Sequence, residues 1–240
     1  MQTLSIIIPC YNEAGRLPVA LLSGFLDHHE EIRLVFVNDG STDHTIEMIG
    51  SLLTTYPERV HLLQHPVRKG KAEAVRTGII AAAGHTNGFL GFMDADMAVT
   101  PDEFYRLFKL FRSTDLRFYF GSRIKKVGAD IQRSEWRHFY SRIIATIVGS
   151  MIRLDVYDTQ CSAKLFTLET AKAVFENSFK TRWLFDVEII CRLHQLYGPL
   201  NQNGKEEPLL QWKEQKGSKI RWYHFFRILR EIFILKKLYN

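Results

Sequence analysis

The stretch LSIIIPCYNEAGRLPVALLSGFLD, Leu4 to Asp27, decides how the chain is to be read. Leu4 to Ile8 is a short aliphatic run, Pro9 to Gly15 carries turn residues, and a helical pattern follows to about Asp27. The same β-loop-α unit recurs at once: Ile32 to Val37 is apolar, Asn38-Asp39-Gly40-Ser41 breaks it, and a helix runs to about Thr55. A third strand fits Val60 to Leu63, a helix fits Lys71 to Ala83, and a fourth strand fits Gly88 to Met93. Pro101 then opens a further helix with Thr100 as its cap. Aliphatic strands buried on both faces and alternating with helices predict an α/β fold, a mostly parallel sheet flanked by helices.

In such sheets ligands bind outside the carboxyl ends of the strands. Three polar loops gather at that edge: Tyr11, Asn12 and Glu13 after the first strand, Asn38 and Asp39 after the second, Asp94 and Asp96 after the fourth. Carboxylates used only as turn residues would be spread over both edges, so their shared location predicts a site. Asp94 and Asp96 stand one residue apart, and like charges that close repel unless something positive lies between them. No Gly-x-Gly-x-x-Gly follows the first strand, and neither a P-loop nor a Gly-x-Ser-x-Gly elbow is present. Dehydrogenase, P-loop and α/β-hydrolase readings fall away.

With 240 residues, 46% hydrophobic and 24% charged, the composition is that of an ordinary globular protein. The net charge of +6 suits an anionic partner without choosing among nucleotide, lipid surface and nucleic acid. Cys10, Cys161 and Cys191 are too few and too scattered for a disulfide framework or a zinc site, so reduced, cytosolic thiols are expected. No secretory signal is expected at the N-terminus. The apolar stretch Ile143 to Ile152 is broken by Thr146, Gly149 and Ser150. It falls far short of the ~20 residues that span a bilayer, so no transmembrane segment is expected.

Five segments, SIIIPCYNEAGRLP, VFVNDGSTDHT, VRKGKAEAVRTGI, MDADMAVTPDEF and GSR, stand in the order found in family 2 glycosyltransferases of the GT-A fold, which the chain resembles over most of its length. The later DTQCSAKLF, RWLFDVEII and EEPLLQWKEQKGSKIR look more like the dolichyl-phosphate β-glucosyltransferases and their polyprenyl-phosphate relatives. The resemblance implies a Rossmann-like GT-A domain over 1–221. It also implies an inverting, metal-dependent transfer of a hexose, glucose foremost, from a nucleotide diphosphate sugar such as UDP-glucose to a polyprenyl phosphate.

By the same resemblance Asp94 and Asp96 would hold Mg²⁺ or Mn²⁺, Asp94 nearer the ribose and Asp96 the firmer ligand. Pro9, Tyr11, Glu13 and Asp39 would surround the base and ribose, and Lys71 would face the nucleotide. Arg123 would contact a phosphate, for which a guanidinium fork is suited. Asp186 and Glu188 lie where relatives acting on hydroxyls place a catalytic carboxylate. Arg133, Arg137, Gln160 and Lys219 are the acceptor-binding candidates, with Asp158 and Thr159 lining the site. Many relatives that make dolichyl-phosphate mannose carry Gln two residues beyond the second metal aspartate; Ala98 stands here.

A polyprenyl phosphate is already an anionic nucleophile, so it demands no general base. Two rival readings stay open: extension of a surface glycan with Asp186 or Glu188 as base, and an inactive sugar-nucleotide-fold adaptor at a membrane. A lipid acceptor requires membrane contact. The segment of Arg133, Trp136, Arg137, Phe139, Tyr140 and Arg142 reads as interfacial. Residues 222–240 read as an amphipathic helix, with Phe225, Phe226, Leu229, Ile232 and Phe233 at helical spacing against Arg227, Arg230, Lys236 and Lys237. Such a helix fits a membrane surface or packing on the domain. The expected location is the cytoplasm, peripheral at a membrane face, with no nucleic-acid partner.

Overall fold

The computed structural model describes residues 2–124, 127–132, 156–213 and 224–239. Arg133, Arg137, Lys219 and the apolar stretch 143–152 lie outside the described residues.

The repeating unit folds as expected. Strands β1 (Leu4–Cys10), β2 (Ile32–Asp39), β3 (Val60–His65) and β4 (Phe89–Phe92) alternate with helices α1 (Val19–His28), α2 (Thr45–Thr55), α3 (Lys71–Ala82) and α4 (Pro101–Phe111). These strands pair in parallel, β3-β2-β1-β4. Beyond β4 the sheet turns mixed. β7 (Lys164–Thr167) runs antiparallel to both β4 and β5 (Phe118–Ser122), and β8 (Gly204–Pro208) closes the edge parallel to β5. A two-stranded ribbon, β6 (Asp130–Gln132) with β9 (Gln211–Lys213), stands apart. The remaining helices are α5 (Leu168–Phe175), α6 (Phe185–Tyr197), the short α7 (Leu200–Asn203) and α8 (His224–Tyr239).

Side-chain alternation along β1 explains the layering. Leu4, Ile6 and Ile8 join a core with Leu22 and Phe25 of α1, Ile49 of α2 and Phe104 and Phe108 of α4. Ile7 faces the opposite core, with Val75 and Ile79 of α3, Phe175 of α5, Val187 and Ile190 of α6 and Ile232 of α8. β1, β2 and β4 are covered on both faces, which is why they read as apolar runs, whereas the edge strand β3 is partly exposed. Gly78 lets α3 lie against the sheet, since a Cβ there would come within 2.6 Å of Ile7 Cγ2. The α4 cap forms as expected: Thr100 Oγ1 accepts from the Glu103 N–H at 3.2 Å, with Pro101 at the first helical position.

The C-terminal helix is set into the domain. Ile228, Ile232 and Leu235 of α8 are buried in the core with α6 residues, and Glu231 is 5% exposed. Leu229, Phe233 and Leu238 remain on the outer face with Arg227, Arg230, Lys236 and Lys237. Of the two placements the amphipathic pattern suits, packing on the domain takes one face and leaves the other exposed. Among the described residues no helix is long and apolar enough to cross a membrane.

Candidate active site

β1 pairs with β2 on one side and with β4 on the other, so the loops leaving their carboxyl ends part and open a crevice. A cavity of about 180 Å³ lies there, lined by Pro9, Tyr11, Glu13, Asp39, Lys71, Asp94 and Asp96, together with Arg68. The donor-side candidates other than Arg123 thus converge. Arg68 was only part of a basic loop in the sequence; its guanidinium lies 3.9 Å from the centre of the Tyr11 ring, and together they wall one end.

The two loops that bring these groups together are cross-tied. Asn12, at φ 54°, accepts through Oδ1 from the Thr42 N–H at 2.9 Å and donates its own N–H to Ser41 Oγ at 3.0 Å. The Glu13 N–H reaches Thr45 Oγ1 at 2.8 Å. Met97, at φ 50°, is the second left-handed residue without a glycine, directly after Asp96. Its N–H donates to the Asp94 carbonyl at 3.2 Å, which curls the chain so that both carboxylates line one cavity.

Lys71 Nζ lies 2.5 Å from Asp94 Oδ1. Burial works against the charge on Asp94, but the Lys71 ammonium beside it and a hydrogen bond from Ser162 hold its carboxyl below the ordinary aspartate range. Lys71 is itself held above its ordinary value: burial opposes its charge, and Asp94 followed by Asp186 outweighs burial. Asp96 behaves oppositely, pushed up by burial and then by the Asp94 charge. One Asp96 oxygen accepts from the Ala98 N–H at 3.1 Å.

This pair fits a divalent cation. Two hard carboxylates lie within mutual repulsion; Lys71 pairs directly with Asp94 alone, and its weaker pull on Asp96, with that of Arg16, does not cancel the repulsion. No cluster of three or more His, Cys, Asp or Glu suited to a metal occurs among the described residues.

Asp39 is buried where the cavity meets the turn into α3. Its Oδ1 accepts from His65 Nδ1 at 2.8 Å and the Lys69 N–H at 2.8 Å, and its Oδ2 accepts from the Gly70 N–H at 2.7 Å. The carboxylate therefore also shapes the turn into α3. Asp39→Ala should raise the KM for the donor about tenfold with kcat kept within about threefold, and lower stability by roughly 1–3 kcal/mol. Steady-state kinetics with a melting curve checks both; a fall in kcat at constant KM would contradict the assignment.

The acceptor-side candidates divide. Asp186, in the first turn of α6, is ion-paired at 2.7 Å with Lys164, whose side chain is 1% exposed. Lys164 Nζ also donates to the carbonyls of Thr159 at 3.2 Å and Cys161 at 2.5 Å, so its three N–H bonds are all used. Lys164→Met leaves Asp186 buried without its counter-charge and should cost about 3–5 kcal/mol, read from chemical denaturation. A loss below about 1 kcal/mol would show that the pair carries little weight.

Two further candidates stand outside the cavity. Glu188 is fully buried and takes no part in the cavity. It accepts from the Lys180 and Thr181 N–H groups, Thr181 Oγ1, Arg192 Nη2 and the Tyr239 hydroxyl, which makes it a structural anchor. Arg123 is engaged by Asp158 instead of lining the cavity. Its Nε and Nη2 each donate to that carboxylate at 2.7 Å, and Asp158 holds it above even the ordinary arginine value against the pull of burial. Gln160 follows in the same loop and donates its N–H to Asp158 Oδ1 at 3.3 Å. Sequence reasoning missed Ser162 and Lys164, for which the only signal was their place in DTQCSAKLF. The three cysteines are buried thiols, with Cys161 and Cys191 each pushed by burial to about 12.

The model of the family described as glycosyl transferase family 2 matches residues 5–175. A dolichyl-phosphate β-glucosyltransferase of Trichomonas vaginalis is 34% identical over 91% of this chain and 68% of its own length. The enzyme of the same name from Dictyostelium discoideum is 31% identical over 90% of the chain and 68% of its own length. Among solved structures, glucosyl-3-phosphoglycerate synthase of Mycobacterium tuberculosis, crystallised with Mn²⁺, UDP and glucosyl-3-phosphoglycerate, superimposes with a TM-score of 0.71. At 15% identity, over 99% of this chain and 79% of that one, it establishes the shared GT-A fold.

Proposed function

The chain belongs to glycosyl transferase family 2, and on that premise we propose that it transfers glucose, with inversion, from UDP-glucose to a polyprenyl phosphate at a membrane surface. One observation carries the choice of acceptor. Asp186, the carboxylate the sequence offered as a base, is paired with the buried Lys164, and Glu188 is spent on the fold. Taking a proton from a hydroxyl calls for a carboxylate free to face it, and both of these are already engaged. A phosphate acceptor removes that requirement, because it arrives ionised. The names of the relatives agree with this choice.

In this reading Tyr11, Arg68 and Asp39 hold the base and ribose. Lys71 moves its ammonium from Asp94 toward the diphosphate as the donor enters. Asp94 and Asp96 would hold Mg²⁺ or Mn²⁺, which when bound neutralises charge on the leaving diphosphate. An acceptor phosphate oxygen attacks the anomeric carbon from the face opposite the departing group. The bond from that carbon to the β-phosphate oxygen breaks, and its electron pair leaves with the nucleoside diphosphate. No proton has to move, so Asp186 is left to orient the sugar. The outer face of α8 supplies the membrane contact, with exposed Phe233 and Leu229 between basic residues.

The test is UDP release from UDP-glucose with and without geranyl phosphate, in Mn²⁺ or EDTA, with the product's anomeric configuration read by NMR. A β-linked glucosyl phosphate formed only with the metal supports the reading. Transfer to sugar hydroxyls and not to the prenyl phosphate would overturn it.

A further inference from the structure

Beside the donor cavity, and sharing Lys71 with it, lies a second groove of about 400 Å³. One wall is the start of α3, Lys69, Gly70 and Lys71; the other is Lys180, Thr181 and Arg182 in the loop before α6. Lys69, Lys180 and Arg182 are exposed at its rim. Neither Lys69 nor Lys180 has an ion-pair partner among the described residues, and the groove's one carboxylate, Glu73, is paired with Arg76 at 3.1 Å. Among the described residues, the cavity therefore carries a surplus of positive charge with no ion-pair partner.

The loop wall is built with unusual expense for an exposed segment. Glu188 accepts from the Lys180 and Thr181 N–H groups, and Glu231 of α8 accepts from those of Arg182, Trp183 and Leu184 at 2.9 to 3.2 Å. Five consecutive N–H groups thus turn inward onto two carboxylates no more than 5% exposed. Burying two carboxylates costs several kcal/mol before their hydrogen bonds offset it, more than a surface turn requires. Such support is what a site needs to hold charged groups at fixed positions. Arg182 is fixed further, its Nη2 donating to the Lys69 carbonyl at 3.0 Å and lying 3.2 Å from where a Cβ on Gly70 would be. The glycine, at φ 103°, is required on both counts.

We propose that this groove receives the phosphate of the acceptor and presents it to the donor sugar at Lys71 and Asp94. The inference rests on the polyprenyl-phosphate reading above and places that substrate's head on residues which no motif had singled out for it. A phosphate monoester carries up to two charges near neutral pH, which matches the unpaired ammonium groups.

The experiment compares the parent with the double variant Lys69→Ala, Lys180→Ala and with the charge-keeping Lys69→Arg, Lys180→Arg. Both lysines are exposed and have no ion-pair partner among the described residues, so the fold is expected to stand. The alanine pair should raise the KM for geranyl phosphate by about 10- to 100-fold, at roughly tenfold for each charge-assisted contact, while the Kd for UDP changes less than about twofold. The arginine pair should restore the parent's KM within about threefold. An unchanged KM overturns the proposal, and so does an equal loss of UDP affinity, which would make the groove part of the donor site. Reduced sedimentation with phosphatidylglycerol vesicles at an unchanged KM would assign it to a lipid headgroup and equally overturn the acceptor role. Calorimetric binding of geranyl phosphate in the presence of UDP reads the groove without turnover. If the parent binds but does not transfer, the functional reading fails while the groove stands; if the alanine pair binds as the parent does, the groove fails.

Discussion

Asp96→Asn should lower kcat by about three orders of magnitude while leaving the melting temperature within a few degrees of the parent's. A cation that stabilises a leaving diphosphate contributes several kcal/mol, and each 1.4 kcal/mol, roughly, is a factor of ten in rate. The amide keeps one oxygen as acceptor for the Ala98 N–H, so the curl at Met97 survives. It removes the charge that a cation needs. Folding should gain slightly if anything, since burial and Asp94 already push the Asp96 carboxyl up. Asp94→Asn differs in an informative way: it also strips Lys71 of its partner, so losses in donor affinity and in rate should appear together. Kinetics across a Mn²⁺ titration decides. An Asp96→Asn enzyme that keeps the parent's rate and metal dependence would remove Asp96 from the site.

The parallel half of the fold was legible because β1, β2 and β4 are buried on both faces and each loop breaks the pattern with Gly, Asn or Asp, while the edge strand β3 keeps only a short apolar centre. β1 to β4 appear where the aliphatic runs lie; β1 to β3 extend past them at the carboxyl ends, by Pro9 and Cys10 in β1, Asn38 and Asp39 in β2 and Gln64 and His65 in β3, while β4 stops short at Phe92. Ladder hydrogen bonds continue there although the side chains have turned polar. β7 to β9 were not legible. β7 holds a lysine whose charge is satisfied 22 residues away at Asp186, and β8 is GKEEP, with nothing apolar to mark it. The cavity was legible for the same reason as the sheet, since loops at one edge must meet. Glu188 and Arg123 were not, because carboxylates and guanidinium groups that tie loops together have the same letters as those that meet substrate. Only their partners, the 180–181 N–H groups and Asp158, tell the two roles apart.

Deleting α8 should prevent the domain from folding, which is a larger effect than a membrane anchor would give. The sequence allowed residues after about 221 to serve a membrane alone, with donor hydrolysis surviving their loss. The packing argues otherwise. Ile228, Ile232 and Leu235 are buried against the α6 layer, and exposing what they cover costs about 1.5–3 kcal/mol for each. Removing Glu231 strips three N–H groups at 182–184 of their acceptor, at about 1–3 kcal/mol for each that stays buried. The sum matches or exceeds the 5–15 kcal/mol, roughly, that holds a domain of this kind together. The truncated chain should therefore lack a cooperative melting transition and bind no UDP. The outer face is separable from this role. Phe233→Ser with Lys236→Glu and Lys237→Glu changes exposed side chains only, so melting and UDP affinity should match the parent's. Sedimentation with anionic vesicles should fall by roughly tenfold or more, at about 1 kcal/mol for each lysine lost near the surface, and the parent's binding should weaken with added salt. A truncated protein that melts within a few degrees of the parent and still binds UDP would return α8 to the membrane alone.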